Sequence, residues 1–388
     1  MAKQVLFVID FSDNEIIGGH IKSAMHIMDS FIQIGYRVHF LINNRTSPVL
    51  EKLNPGINII QDSYKNKYRA YITRTRTIRS VIKQQQIDFV VAMDTLSAYF
   101  CSLACTLAKV PLVPIIPGGG KEALEYLPLK LKKTIVFSDE NRDNLIEMWK
   151  FRSDQILVRN GRLSFDGRVI SDYDLSKGFR IAYISGLRTA KLAPFRFFLD
   201  QIEKSVKLNL APLQIDIVGD GQHRADFEAE VRSRKLENVR FAGYSEITFE
   251  FLQNYHLVVA QARGALEALS MGIPVAICGD NGYKGLINME NVSSMVRTNL
   301  TGRGLDTAGN LGTDVAFLLR HGMSYNIELN SYIVKMYDVK MLRDAIIEIC
   351  ETENLVPFNG SMIRTSAMNL KTIMIGVSHQ FDKYVLKR

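Results

Sequence analysis

The chain holds 388 residues, 47% of them hydrophobic and 23% charged, with 48 Lys and Arg against 40 Asp and Glu for a net charge of +8. That length and balance suit two globular domains, and no apolar run reaches the ~20 residues of a membrane span. The four cysteines, Cys101, Cys105, Cys278 and Cys350, sit in apolar segments without the spacing of a disulfide framework or a zinc site, so a reduced, cytoplasmic protein is expected.

Val5–Ile9 reads as a first strand, its apolar run cut by Asp10 and too short for a signal peptide. A Gly18-Gly19 loop leads into a helix over His20–Ile34 that Gly35 ends, and Arg37–Ile42 is the next strand. After a variable segment comes a basic helix around Tyr68–Gln84. Tyr64, Tyr68, Tyr71, Ile78 and Ile82 recur there at helical spacing, among Lys65, Lys67, Arg69, Arg74, Arg76 and Arg79. Residues 1–165 carry 22 Lys and Arg against 15 Asp and Glu, so most of the excess charge lies here and at Lys130, Lys132 and Lys133. A basic helix with interfacial tyrosines suits an anionic membrane surface, such as the inner face of the cell membrane. It suits a solvated helix face equally. No nucleic-acid motif accompanies the charge, and nucleic acid is not an expected partner.

Ile87–Ala92 is a strand, Leu96–Ala108 a helix, Pro111–Ile116 and Lys132–Phe137 strands, Asp139–Trp149 a helix and Gln155–Val158 a strand. Such alternation, with near-continuous apolar strands, predicts a parallel sheet covered on both faces. The polar stretch Asn160–Lys177 reads as a linker. The rhythm then restarts with strands at Phe179–Ser185, Leu213–Val218, Val239–Phe241 and His256–Ala260, separated by helices. The expectation is two doubly wound α/β domains, over residues 1–165 and 166–365, with a C-terminal helix over 366–388 crossing back to the first.

Two segments carry the chemistry. Gln261–Ala276 places Glu267 on an apolar helix read as Ala265–Met271, which Gly272 stops before the strand Ile273–Ile277. A carboxylate is costly to bury unpaired, so Glu267 is expected to face a cleft at the strand ends, where α/β sheets bind ligands. The alternative is a carboxylate at a helix N-terminus that favours the macrodipole. Upstream, Gln214–Gly221 ends a strand on Gly219-Asp220-Gly221. Together the two segments point to a nucleotide-sugar site.

The series runs Gly18-Gly19, Val158–Gly161, Ala182–Lys191, Ile217–Gly221, Asn238–Tyr244 and Gly264–Val275. In that order it resembles the retaining glycosyltransferases of the GT-B fold, which include bacterial cell-surface glycan and glycolipid synthases. The resemblance runs from Val5 to about Leu300. It implies two Rossmann-like domains facing across a cleft, the second holding the sugar nucleotide and the first the acceptor. Glu267 would bond the ribose, and Arg188 and Lys191 the diphosphate, whose developing charge fixed cations stabilise. Gly186, Gly219, Gly243, Tyr244, Arg263 and Gly264 would complete the donor nucleotide site. Gly18, Gly19, His20, Asp94, Gly118 and Gly119 would line a phosphate and acceptor cleft, with helix N-capping the alternative for Asp94. The resemblance implies a UDP-sugar donor, no metal or other cofactor, and a glycan or lipid-linked acceptor.

Three departures from the pattern stand out. Leu187 occupies the family's usual Arg position, Pro117-Gly118 replaces a His, and Val259 replaces the first acid of an acid-x7-acid pair. They keep two other functions open: a catalytically degenerate protein that binds glycan or serves as a partner subunit, and a UDP-sugar epimerase.

Overall fold

The computed structural model describes residues 2–9, 19–42, 50–62, 67–118, 131–165, 167–170, 175, 178–206, 213–306, 308–322, 324–353 and 355–356, with backbone alone at 20, 50, 67–72 and 324. The chain forms two compact units, Met1–Arg162 with Val339–Arg388, and Leu163–Asp338. The return to the first unit therefore starts at Val339, ahead of the 366 expected from sequence; residues 366–388 lie outside the described ones.

The first unit contains β1 (Gln4–Ile9), α1 (Gly19–Gln33), β2 (Arg37–Ile42), β3 (Ile57–Gln61), α2 (Lys67–Gln84), β4 (Phe89–Ala92), α3 (Thr95–Ala108), β5 (Leu112–Ile116), β6 (Thr134–Val136), α4 (Asp139–Trp149) and β7 (Ile156–Val158). Its seven strands run in the order β3-β2-β1-β4-β5-β6-β7, every pair parallel. Alternate residues of β1 serve opposite faces. Val5, Phe7 and Ile9 pack with Ile27 and Phe31 of α1, while Leu6 and Val8 pack with Ile78 of α2 and Phe100 of α3. Burial on both faces is why the strand reads as an unbroken apolar run.

The second unit contains β8 (Phe179–Ile184), α5 (Leu192–Val206), β9 (Leu213–Val218), α6 (Arg224–Ser233), β10 (Val239–Gly243), α7 (Phe249–Leu252), β11 (Leu257–Ala260), α8 (Ala262–Ser270), β12 (Val275–Gly279), β13 (Gly282–Leu286), α9 (Val292–Arg297), α10 (Leu311–His321) and α11 (Ile327–Tyr337). Its sheet order is β10-β9-β8-β11-β12-β13, parallel except for β13. β12 and β13 form a hairpin across Asp280-Asn281, with Gly282 at φ +121°. The chain then re-enters the first unit through α12 (Val339–Thr352). Leu342, Ile346 and Ile349 of α12 join the α1 face of that unit's core.

The basic helix differs from its sequence reading. Ile78 and Ile82 face the core as the spacing predicts. Arg74 does not lie on a solvated face, because its side chain is fully buried and pairs with Asp62 at 3.2 Å. A guanidinium is accommodated there because its charge is matched. Tyr64 and Lys65 lie outside the described residues.

Candidate functional site

In each parallel sheet the strand order reverses beside its first strand, between β1 and β4 in the first unit and between β8 and β11 in the second. Loops at the C-terminal ends of strands part at such a point and leave a crevice, the usual ligand position in open α/β sheets.

In the second unit the loops after β8 and β9 lie backbone against backbone. Ser185 N donates to Val218 O at 3.0 Å, Leu187 N to Asp220 O at 3.0 Å, His223 N to Leu187 O at 3.2 Å and Gly219 N to Gly243 O at 2.8 Å. The approach leaves no room for side chains. A Cβ on Gly219, which sits at φ +136°, would stand 1.9 Å from Ser185 O, and one on Gly221 2.4 Å from Leu187 O. The Gly219-Asp220-Gly221 segment is glycine-rich because two loops cross there.

Leu187 is fully buried with Phe195 and Phe227, so it pins the β8 loop to the core. This accounts for a leucine where the resemblance expects an arginine. Arg188 and Thr189 stay exposed, and a short 3-10 turn over Thr189–Lys191 leads into α5. Lys191 points back across the switch point, its Nζ donating to Gln261 Oε1 at 2.5 Å. Burial lowers the Lys191 ammonium from its ordinary value; Asp280 opposes the shift and Arg303 adds to it. Lys191 is thus a half-dehydrated cation whose hydrogen-bond partner is a neutral amide.

Gln261 precedes α8, and its amide also donates to the Cys278 carbonyl, so it links the ends of β11 and β12. Ala262, the first residue of α8, sits at φ +49°, and its N–H donates to Leu300 O at 3.0 Å. A non-glycine residue in the left-handed region is a form of strain that gathers at ligand sites. Asn299 and Leu300 share that conformation at φ +57° and +55°. The segment they begin carries Arg303 and presses on β12: a Cβ on Gly279 would lie 2.6 Å from Thr301 O.

Glu267 is the sixth residue of the nine-residue α8, so it is not the N-terminal carboxylate of the alternative reading. Its Oε1 accepts from Arg263 Nε at 2.6 Å, one helical turn earlier, and the two side chains are 12% and 7% exposed. Among the described residues no donor reaches its Oε2. Gly264 lies in the first turn, between Ala260 and Ile247. Gly272 ends the helix at φ +83°, and a Cβ there would stand 2.7 Å from Val169 Cγ1 and 2.8 Å from Ile170 O. Gly186 is exposed in the β8 loop, Gly243 ends β10 at φ +76°, and Tyr244 beyond it is 49% exposed. Every donor-site residue named from sequence therefore lies at one end of this sheet. Val259, in the place of the first acid, is fully buried inside β11, where a carboxylate would be desolvated among apolar side chains.

In the first unit, Asp94 caps α3. Its carboxylate accepts from Ser97 N at 2.7 Å while Ser97 Oγ faces the Asp94 backbone, a reciprocal capping box. Gly118 follows β5 at φ +155°. Gly19 and His20 open α1 after β1. Gly18 and Gly119 lie outside the described residues.

Sequence reasoning missed Gln261, Asp280, Arg303 and the pair Thr189 and His223. The Gly279-Asp280-Asn281-Gly282 run, flanked by apolar residues, is a hairpin signal that would have located Asp280. Nothing local marks Gln261 or Arg303, whose positions depend on non-local packing. No group of His, Cys, Asp and Glu suited to a metal ion occurs among the described residues. Nor is any helix among them long and apolar enough to cross a membrane.

Residues 178–298 match the model of the glycosyl transferases group 1 family. No curated protein matches the chain in sequence. Among solved structures, HepE from Anabaena, in complex with UDP-glucose, superposes with a TM-score of 0.66 at 15% identity, covering 90% of this chain and 100% of that one. The lipopolysaccharide outer core galactosyltransferase WaaB, in its apo form, gives 0.61 at 16% identity, covering 89% and 99%. A protein of Listeria monocytogenes assigned as a UDP-N-acetylglucosamine 2-epimerase gives 0.55 at 15%, covering 92% and 100%. The chain therefore has the GT-B fold, and its residues 178–298 match the glycosyl transferases group 1 family.

Proposed function

We propose that the chain is a nucleotide-sugar-dependent glycosyltransferase that moves a sugar from a UDP-sugar to a glycan or lipid-linked acceptor with retention of configuration. The observation that carries this reading is Lys191, a largely buried ammonium at the switch point held by the neutral Gln261 amide, with Arg188 on the same turn and Arg303 nearby. Such cations, with Lys191 bonded to a neutral amide, suit a ligand that brings negative charge, as a diphosphate does. They stabilise it as the glycosidic bond breaks and negative charge collects on the leaving group. No metal is needed for that role.

Glu267 takes the ribose in this reading. Arg263 holds one carboxylate oxygen and fixes the rotamer, which leaves the other to accept a ribose hydroxyl. The backbone from Ala242 to Tyr244 receives the base. Departure of the nucleoside diphosphate on the face where the acceptor attacks requires no protein nucleophile, so the buried Val259 is compatible with turnover. That HepE was solved with UDP-glucose supports the choice of donor.

The fold also admits a UDP-sugar 2-epimerase, as the Listeria neighbour illustrates. One panel separates the readings: calorimetric titration of UDP, GDP, ADP and CMP into wild type and Glu267→Ala, then incubation of the matching nucleotide sugars with and without acceptor. A transferase binds one diphosphate, loses about tenfold or more affinity in the variant, and releases diphosphate only with acceptor. Conversion of the bound sugar without acceptor would identify an epimerase. Absence of binding by all four nucleotides would sink the donor site and favour a non-catalytic role.

A further inference from the structure

Beside the proposed diphosphate site a hydroxyl, an imidazole and a carboxylate are joined in series. Thr189 Oγ1 lies 2.9 Å from His223 Nε2, and His223 Nδ1 lies 2.8 Å from Asp226 Oδ2. The three come from two loops that cross at the ends of neighbouring strands. Thr189 begins the turn that carries Arg188 and Lys191, and His223 caps α6, with its own N–H on Leu187 O at 3.2 Å. Thr189 is exposed, and the His223 side chain is 32% exposed, so solvent and ligand reach both.

The chemistry of this series follows from its partners. A ring nitrogen bonded to a carboxylate carries the hydrogen, so in neutral His223 Nδ1–H donates to Asp226 and Nε2 is an acceptor. The Thr189 hydroxyl must then donate into the ring. When His223 gains a proton, Nε2–H becomes the donor and Thr189 Oγ1 the acceptor. The hydroxyl hydrogen is released from the ring and is free to donate elsewhere. One proton is added at Nε2, and no covalent bond to a heavy atom changes.

Among the charged groups on the elements around the ring, Asp226 is hydrogen-bonded to it. Asp220 bonds its neighbour Gly221 N at 2.8 Å, and Arg224 is paired with Glu228 at 2.9 Å. Arg188 and Lys191 flank Thr189 in sequence. An anionic ligand at those two cations favours both the protonated ring and a donating hydroxyl.

We propose that the Thr189–His223–Asp226 series couples binding of a nucleoside diphosphate sugar to uptake of a proton by His223, with the Thr189 hydroxyl as the added donor to the phosphate. This rests on the donor-site reading above. His223 is a positioning residue in it, and Thr189 touches the ligand.

The test is calorimetric titration of UDP-glucose, whose diphosphate has no titrating proton near neutrality, from about pH 8 to about pH 5.5 in buffers of different ionisation enthalpy. Wild type is expected to gain about tenfold in affinity over that range and to take up at most about half a proton on binding, the amount that linkage ties to a tenfold gain. Thr189→Val, which retains His223, is expected to lose both effects, and Thr189→Ser to restore them. Binding with no proton uptake by wild type overturns the coupling while leaving the donor site intact. Uptake that persists in Thr189→Val overturns the role of the hydroxyl and places the ring on the ligand directly. Absence of binding at every pH overturns the donor reading, and this inference with it.

Discussion

Two charged clusters lie on the sheet of the second unit, and they are built in opposite ways. In the first, Asp216 of β9 is 2% exposed and accepts from Tyr255 Oη at 2.9 Å, from Arg180 Nη2 at 3.2 Å and from Arg240 through two nitrogens. Burial alone would raise this carboxyl, but hydrogen bonds from Arg240, Tyr255 and Arg180 outweigh it and hold the group below the usual range. The carboxylate is matched by protein groups on every side that the hydrogen bonds show. In the second, burial lowers the Lys191 ammonium, Asp280 opposes that shift only in part, Arg303 adds to it, and the hydrogen-bond partner is a neutral amide. A buried charge with matched partners is architecture, whereas a buried charge left in surplus is the local cost of a binding site.

The contrast breaks most visibly at Asp216. Asp216→Ala leaves the part-buried Arg180 facing Tyr255 without its carboxylate and is expected to cost about 3 kcal/mol of stability, read as a shift in the denaturant midpoint. Asp216→Asn should lose less, because its amide oxygen still accepts. Lys191→Met takes the other direction. It should cut kcat/KM about 100-fold, some 2.7 kcal/mol of transition-state stabilisation, with melting temperature unchanged or slightly raised. A large stability loss in Lys191→Met would mean that the cluster is structural after all.

Glu267→Gln sharpens the comparison within α8. The amide keeps an oxygen for Arg263 but loses the charge, so UDP affinity should fall about tenfold while the helix persists by circular dichroism. The smallest effect concerns Asp314, a carboxylate with neutral partners. Burial pushes it up to about 6, against hydrogen bonds from Tyr283 at 2.7 Å and the Leu286 backbone. Its folded value exceeds its unfolded one, so the folded state is favoured when it is protonated. That contribution is lost as pH rises from about 4 through about 6. Asp314→Asn should therefore stabilise the protein by about 1 kcal/mol at pH 8, and the gain should vanish near pH 4.

Much of this arrangement was legible in the chain. Strands buried on both faces, such as Val5–Ile9 and Leu257–Ala260, announce themselves as apolar runs, and Gly35 and Gly272 mark helix ends where φ is positive. Gly219 and Gly221 read in sequence only as part of a nucleotide-sugar motif; the structure shows that two loops cross there. β3 was not read because Ile57–Gln61 is an edge strand with mixed burial that carries little apolar contrast. The return of the chain at Val339 was missed for a related reason. α12 shows the same amphipathic pattern wherever it docks, and its contact with α1 bridges more than 300 residues. The site was legible as a set of residue types after strands. The identity of each partner was not: the Arg263 bond on Glu267, the Gln261 bond on Lys191 and the His223 bond on Thr189 all depend on which rotamer faces which loop.

The central claim is that the strand-end loops of the second unit hold a nucleoside diphosphate between Lys191 and Glu267. A crystal structure of the protein soaked with UDP tests it most directly. The account predicts a phosphate oxygen within about 3.2 Å of Lys191 Nζ and a ribose hydroxyl within the same distance of Glu267 Oε2. A UDP molecule bound away from both residues, with Lys191 still on Gln261 and no ligand atom near α8, would contradict it.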